Sequence, residues 1–494
     1  MTILRFSTRK NREVAQRDSQ GILFPTANAQ GIDLYRVAVR QHAWFQASVL
    51  DTLDAAIGVN PEFGMPYFAK AYLLLYMTEP AFRDQAKETM AELRECIAID
   101  RLSSVEQAHA AAVEHWACGK LNAACTILER LGIEEPREIL GLRVGHEMDF
   151  FAGATRNLRD RVARQMRAWT PRDPDYGIVL GAYAFGLVEN GHFDEAEVFG
   201  RRSLECNRND AWALHAVAHS FEMRGMAGEG IRFMTERIAD WSEKNLFAGH
   251  NWWHAALFYL DSGDTQCALS IYDKSIYNET AQKIALVMLD AASMLWRMHL
   301  DGINLAGRAA ALSADWRVNL PAQPYYHFND MHATMAHVAA QDLAAAREVV
   351  SRMDRYLEAG DDGTDCFQST RLVCRPICKG LVDFGEGRYA ECVDQLYGAR
   401  MRAQALGGSA AQRDVLDRTI LTAALRGGLN GFARALASER VTLKELSPWG
   451  WRRYADALLA GGASEEEIAS AIRSRDSTAE RARLQSGQRI HHHQ

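Results

Sequence analysis

Alanine-rich apolar stretches, separated by short polar turns, recur along almost the whole chain. Within them the apolar residues return every three or four positions, which is typical of helices that bury one face. Proline is scarce, with 11 residues in 494, and the alternating β-branched runs that would indicate strands are nearly absent. The pattern predicts an all-α fold.

A turn marker divides these stretches into repeating units. It consists of a glycine or polar residue, then acidic or polar residues, then an alanine inside the next apolar stretch. Successive markers are spaced at, or somewhat beyond, the tetratricopeptide period of about 34 residues. Because glycine readily adopts left-handed backbone angles, we expect each marker to end helix A of a pair. The markers begin at Gly119, Gly153, Gly191, Gly225, Gly263, Gly302, Gln341, Gly387 and Gly427.

The markers predict nine to eleven helix pairs between about residues 35 and 475. Because each unit of a solenoid packs only on its neighbours, a chain of 494 residues need not divide into several globular domains. We expect a lead-in at 1–30, a solenoid at 31–475 and a charged tail at 476–494. The predicted fold class is a right-handed α-solenoid of divergent tetratricopeptide-like helix pairs.

Composition narrows the classes of partner. The net charge is −7, whereas a nucleic-acid-binding surface is usually basic and clustered, so we expect no nucleic acid. No apolar run is long enough to span a bilayer and no secretory signal is visible, which predicts no membrane span and a cytoplasmic location. The expected partner is a small-molecule substrate or a peptide in the concave groove, and the chain could form a homodimer.

Three histidines fall at nearly equivalent positions of three repeats. His254 follows His215 by one repeat length, and His332 follows His254 by two. A solenoid places equivalent positions side by side on one wall, and helical residues three or four apart share a face. His219 and Glu222 therefore join this wall. We expect these five residues to form a catalytic set.

Other polar and aromatic residues at similar offsets should line the same pocket. Carboxylates would orient the imidazoles, and tryptophans would exclude water from an organic ligand. The expected substrate-binding residues are His146, Asp149, Glu189, Trp212, His250, Trp253, His327, Asp330 and Arg413.

This residue set allows two kinds of chemistry. Imidazole exchanges protons near neutral pH, which suits acid–base catalysis without a cofactor. Two histidines one turn apart can also bind a divalent metal ion, although the zincin motif His-Glu-x-x-His is absent. A single helical histidine is more often a structural residue, so the prediction depends on several of them converging. The candidate metal ligands are His215, His219, His254 and His332.

A second motif occupies residues 407–414. Its Gly-Gly-Ser start, followed by polar residues, is typical of a capped helix N-terminus. Helix N-termini also bind anions, and Arg413 could hold a substrate carboxylate there. If the superhelix curls round, this segment would close the pocket against the histidine wall.

Several motifs resemble the tetratricopeptide-repeat protein 38 family. They occur in the family's order over roughly residues 140–430, and the central one, 210–225, is the most specific. The resemblance implies a curved solenoid of divergent tetratricopeptide-like pairs without a transmembrane segment, and it implies no general activity. The motifs are the segments 183–191, 195–197, 210–225, 252–257, 272–273 and 407–414.

Two functions are compatible with these observations. The first is an enzyme that catalyses hydrolysis or elimination on a small polar or anionic substrate, by acid–base or metal-assisted chemistry. The second is a non-catalytic scaffold that binds a peptide or a partner protein in its groove. The cluster of histidines favours the enzyme, since a peptide-binding groove does not need it.

Overall fold

The computed structural model describes residues 16–487, without the side chains at positions 319 and 320, and its helices confirm the predicted all-α fold. Residues 1–15 of the expected lead-in and the end of the expected tail lie outside this range. Within it, the strands Gln16–Arg17 and Leu23–Phe24 form one antiparallel ladder. No helix between residues 16 and 487 combines the length and the apolarity that crossing a bilayer requires.

We number the α-helices in chain order. The first thirteen are α1 (Ala29–Ala43), α2 (Val49–Val59), α3 (Gly64–Leu75), α4 (Pro80–Cys96), α5 (Ser104–Ala117), α6 (Leu121–Glu134), α7 (Ile139–Phe151), α8 (Thr155–Gln165), α9 (Tyr176–Glu189), α10 (Phe193–Cys206), α11 (Ala211–Met223), α12 (Ala227–Thr235) and the short α13 (Ile238–Trp241).

The remaining helices are α14 (Ala248–Ser262), α15 (Thr265–Ile271), α16 (Ala285–Leu300), α17 (Arg308–Asn319), α18 (His327–Ala339), α19 (Leu343–Glu358), α20 (Asp365–Ser369), α21 (Arg375–Gly385), α22 (Tyr389–Arg400), α23 (Ala410–Arg426), α24 (Asn430–Leu443), α25 (Pro448–Ala460) and α26 (Glu465–Gln485). Short 3-10 segments lie at Ile99–Arg101, Met166–Ala168, Leu320–Ala322 and Ala403–Leu406, and π-helical turns at Tyr272–Ile276 and Thr370–Cys374.

A left-handed residue marks the turn from helix A to helix B in each of the twelve pairs that residues 16–487 form. The φ angles of these twelve residues lie between 56° and 93°. Eight of the nine predicted markers take this role, including Gln341 with a φ of 60°. In the last, Gly428 rather than Gly427 is left-handed. The first two turns use Phe45 and Thr78, so no glycine marks them in the sequence.

Helix A of a central pair is buried on all sides, whereas helix B keeps one exposed face. In α11 every residue from Ala211 to Phe221 is buried. In α10 the buried residues are spaced three or four apart, as in an ordinary amphipathic helix. The central A helices therefore form the interior of the molecule, and most polar side chains on them have little or no access to water.

The superhelix closes on itself, so its own helices cover the A helices. In the middle of the chain, α23 packs on α11 and α16, and α26 packs on α12 and α14. The N-terminal pairs are also in contact with later ones. Nδ2 of Asn329 on α18 donates a hydrogen bond to Oγ1 of Thr78, in the turn after α3, at 3.0 Å. The backbone N–H of Asp365 donates to the carbonyl of Gly119 at 2.9 Å. Along α11 and α16 the concave face is thus an interior surface.

Gly153 tests how rigidly the superhelix is closed. A Cβ atom at this position would lie 1.8 Å from the carbonyl oxygen of Gln404, on the opposite turn. At Gly191, which has a similar φ of 81°, an added Cβ would meet nothing within 4 Å. We expect Gly191→Ala to cost about 1–2 kcal/mol, the strain of a left-handed residue. Gly153→Ala should lower the thermal midpoint, followed by circular dichroism, clearly further. An equal fall of the thermal midpoint in the two variants would show that the backbone at Gln404 can move away from residue 153 without cost.

Candidate functional site

Four imidazoles meet in the interior, from two successive A helices. His215 and His219 lie one turn apart on α11, and His250 and His254 lie one turn apart on α14. One ring nitrogen of each lies within 4.8 Å of the corresponding nitrogens of the other three. Nε2 of His215 is 2.8 Å from Nε2 of His219 and 3.1 Å from Nε2 of His250. We call these four residues the histidine cluster.

Asp210 caps the N-terminus of α11. Its carboxylate accepts the backbone N–H groups of Trp212 and Ala213, both at 3.0 Å. Burial raises the pKa of Asp210 to about 6, while these hydrogen bonds oppose the rise. The cap fixes where the helix begins, and thereby which face carries His215 and His219.

Two carboxylates orient the rings of α14. Nδ1 of His250 lies 2.8 Å from Oδ2 of Asp290, and Nδ1 of His254 lies 2.9 Å from Oε2 of Glu222. A ring that donates its Nδ1–H to a carboxylate keeps its lone pair on Nε2. Nε2 of His250 faces the cluster, so its lone pair is directed inward.

Glu189 connects the cluster with α23. Its Oε1 lies 3.8 Å from Nδ1 of His219, and its Oε2 accepts the backbone N–H of Ala410 at 2.9 Å. Nη2 of Arg413 lies 3.4 Å from the same carboxylate. Burial raises the pKa of Glu189, and Arg413 and the Ala410 N–H act against this rise.

The segment 407–414 lies beside the cluster, because Ala410 and Arg413 contact Glu189, which faces His219. Ser409 and Gln412 form a capping box at the start of α23, which agrees with the capped N-terminus that the sequence predicts. The sequence also suggested that Arg413 would hold a substrate anion. In the structure the anion beside Arg413 is the carboxylate of Glu189.

Burial keeps three of the four imidazoles neutral. Burial lowers the pKa of His215, His219 and His254 well below its ordinary value, and neighbouring imidazoles lower it further. In the described part of the chain, Nδ1 of His215 and Nε2 of His254 have no hydrogen-bond partner. Unpartnered buried nitrogens are unfavourable, and a neutral imidazole with a free lone pair is the form that binds metal.

The two predicted tryptophans form walls of the cluster. The Trp253 ring stacks on His250 with 5.2 Å between ring centroids, and the Trp212 ring lies 5.0 Å from His215. Arg143 lies over the outer face of Trp212, 4.5 Å from the ring centroid. Bulky rings of this kind exclude water from the space around the imidazoles.

His332 is not among the four clustered histidines, although the sequence pattern included it among the metal ligands. Its Nδ1 lies 2.8 Å from the carbonyl of Phe328 on its own helix. Burial lowers the pKa of His332 to about 4. One further A helix, α16, lies between α14 and α18. Its residue equivalent to His254 and His332, nine positions before the turn marker Gly302, is Ser293. His250, which the sequence pattern assigned to substrate binding, is the fourth member instead.

His327 and Asp330 lie on α18 and, among residues 16–487, form no hydrogen bond with the cluster. His327 borders a cavity of about 80 Å³ together with Tyr326 and Trp116. Burial lowers the pKa of His327 to about 4 and raises the pKa of Asp330 well above its ordinary value. The His327 imidazole is therefore neutral near pH 7.

His146 and Asp149 fasten α7 to α8. Nδ1 of His146 lies 3.1 Å from the carbonyl of Leu158, and burial lowers the pKa of this imidazole to about 3. The Asp149 carboxylate accepts two hydrogen bonds from Arg161, at 2.6 and 3.0 Å. Both residues therefore connect α7 with α8, and neither belongs to the histidine cluster.

Sequence reasoning missed two buried polar residues beside the cluster, Asp290 and Arg297 on α16. Asp290 bonds His250, and Arg297 lies over Trp253 at 5.3 Å from the ring centroid. Burial lowers the pKa of Arg297 to about 10. The available signal was a carboxylate and a guanidinium inside the otherwise apolar helix α16.

Comparisons with known proteins show similarity of architecture alone. No family model matches the chain. The human IFIT1 dimer with PPP-AAAA is 12% identical, covers 96% of each chain and has a TM-score of 0.40. The APC/C hetero-tetramer Cut9–Hcn1 is 11% identical, covering 87% of this chain and 97% of that one, with a TM-score of 0.33. Yeast Tom70 is 13% identical, covering 93% and 97%, with a TM-score of 0.31.

The depressed pKa of His332 predicts a dependence of stability on pH. The folded-state pKa of about 4 lies below the unfolded value of 6.5, so the unfolded chain binds the proton first as the pH falls. The contribution of His332 is complete above pH 6.5 and declines by roughly 3 kcal/mol towards pH 4. We therefore expect the thermal midpoint of the wild type to fall more steeply than that of His332→Gln as the pH is lowered from 6.5 to 4. Thermal unfolding in the presence of a chelator measures both midpoints. A constant difference would contradict the assignment.

Proposed function

We propose that this protein is a non-catalytic, tetratricopeptide-like binding scaffold that holds one divalent transition-metal ion on its histidine cluster. The observation that supports this most directly is the convergence of four ring nitrogens within 4.8 Å. Imidazole suits zinc, copper and nickel, and four nitrogen donors match the tetrahedral preference of zinc. The carboxylates behind His250 and His254 match the usual surroundings of metal-binding histidines.

The geometry favours the scaffold over the enzyme that the sequence pattern suggested. Four protein ligands fill a tetrahedral shell, whereas catalytic zinc keeps one position open for water or substrate. His219 and His254 have no exposed surface, and His215 is 2% exposed. Hydrolysis or elimination would require substrate to reach a metal whose ligands are buried except for His250, whose side chain is 13% exposed.

A bound ion would brace the middle of the solenoid. It would join α11 to α14 directly, and Glu189 extends the connection from His219 to the N-terminus of α23. Because metal would bind the folded chain far better than the unfolded one, it would raise the stability of the scaffold. The metal's role in this proposal is to hold the closed superhelix together.

The resemblance to the tetratricopeptide-repeat protein 38 family agrees with the fold of the scaffold and implies no activity. The segments 183–191 and 210–225, which carry the resemblance, also carry Glu189 and the α11 part of the cluster. We propose that the chain is a divergent member of that family. The nine free cysteines suit the cytoplasmic location expected from the sequence.

Metal analysis with two matched variants tests the proposal. The purified full chain should bind one equivalent of zinc, measured by inductively coupled plasma mass spectrometry after dialysis. His250→Ala should lose this metal, whereas His332→Ala should retain it, because only His250 belongs to the cluster. All three proteins carry the same histidines at 491–493, so binding there cancels in the comparison. Failure to take up added zinc, or an equal loss in both variants, would refute the proposal.

The orienting carboxylate makes a second prediction. Asp290→Asn should weaken zinc binding by about 10–100-fold, because the amide neither accepts as strongly from Nδ1 of His250 nor adds negative charge. Asp394→Asn, at an exposed position of α22, is the control and should leave the affinity unchanged. Competition with a zinc-chelating dye measures both. An unchanged affinity in Asp290→Asn would remove this carboxylate from the metal site.

A further inference from the structure

A cleft of about 510 Å³ lies outside the histidine cluster, where α10 and α11 face α22, α23 and α24. Clefts of this size are typical of small-molecule sites, especially between helices that are distant in sequence. The proposed metal site does not use this cleft. Its lining is divided between an apolar wall and a group of charged side chains.

The apolar wall suits an alkyl chain. Phe193 and Met223 line it from one side, and Leu416, Leu421 and Leu436 from the other. At the mouth of the cleft two further lining residues expose much of their surface to water, Met401 at 83% and Leu443 at 69%. Covering such apolar surface is favourable, by roughly 25 cal/mol per Å².

Lys444 provides a loosely paired cation. The residue is 8% exposed, and its Nζ lies 3.6 Å from a carboxylate oxygen of Asp414. In the described part of the chain the Lys444 side chain forms no hydrogen bond. By contrast, Arg440 binds the same carboxylate with two hydrogen bonds, at 2.8 and 3.0 Å. An ammonium group that lacks a hydrogen-bond acceptor, next to an apolar wall, suits an anionic ligand group.

The other cations of the cleft are already hydrogen-bonded. Its lining contains four basic side chains and three carboxylates, and a fourth carboxylate, that of Glu189, lies against Arg413. Arg400 lies against Asp417 at 2.8 Å. Lys444 is the one cation of this lining that forms no hydrogen bond in the described part of the chain. A ligand with a single negative charge at one end would give Lys444 an acceptor without displacing an arginine pair.

We propose that this cleft binds a single-chain amphiphile with a carboxylate head group, such as a medium-chain fatty acid. The carboxylate lies at Lys444, and the alkyl chain follows the wall formed by Leu416, Leu421 and Leu436 towards Met401. The ligand is held without covalent change, which agrees with a scaffold.

Three probes of equal chain length test the ligand class. Dodecanoate, dodecan-1-ol and dodecyltrimethylammonium are titrated into the full chain below their micellar concentrations, and binding is measured by calorimetry. We expect dodecanoate to bind at least about tenfold more tightly than the alcohol, and the ammonium compound more weakly still. Equal binding of dodecanoate and the alcohol would show an apolar cleft without anion recognition and overturn the proposal. So would the absence of dodecanoate binding at about 1 mM.

Two variants locate the site. Lys444→Met should reduce dodecanoate affinity by about tenfold or more and leave the affinity for the alcohol unchanged. Met401→Asp, at an exposed position that does not endanger folding, should also weaken dodecanoate binding, because a charged group replaces apolar surface that the end of the alkyl chain would cover. Lys274→Met, an exposed lysine far from the cleft, is the control and should change nothing. If both cleft variants bind dodecanoate like the wild type, the ligand does not occupy this cleft.

Discussion

Burial of the A helices on all sides is the constraint on which the rest of this structure depends. A polar side chain on such a helix cannot be solvated, so it must find a partner within the protein or bind one from outside. Some find one within the protein: Asp149 pairs with Arg161, and Asp210 caps its own helix. In the histidine cluster the rings face one another and leave nitrogens without a hydrogen-bond partner among the described residues. The proposed metal ion would bind one nitrogen of each ring.

Closure of the superhelix turns what would be a groove into an interior. In an open solenoid the A helices offer a long concave surface to a partner. Here α23 covers α11 and α16, and its N-terminus is neutralised by Glu189. The proposed ligand site therefore lies away from the histidine cluster, in the cleft in front of Lys444, where helices from the middle and the end of the chain meet. In this proposal the metal ion and the ligand occupy separate places in the same fold.

Three of the four histidines in the cluster were among the metal ligands predicted from the sequence. The fourth is His250 in place of His332, and this exchange has a geometric reason. The interval between His215 and His254 equals one repeat, and neighbouring A helices do bring these rings together. The interval from His254 to His332 equals two repeats, so α16 lies between. His250 lies one turn from His254 on the same helix and is closer to the centre than any residue two repeats away. A neighbour one turn away on the same helix therefore lies closer to the cluster than the equivalent residue two repeats away.

By itself the sequence determined the helix pairs, the positions of most left-handed turns and the capped start of α23. These are local properties, set by apolar periodicity, glycine conformation and side-chain caps over a few residues. The tertiary structure alone decided that α23 covers the histidine wall, that Glu189 takes the position expected for a substrate anion, and that Asp290 supports His250. Such contacts join residues 40 to more than 200 positions apart. They depend on the small rotation between successive pairs, which accumulates along the solenoid. The sequence of a single repeat does not reveal this accumulated rotation.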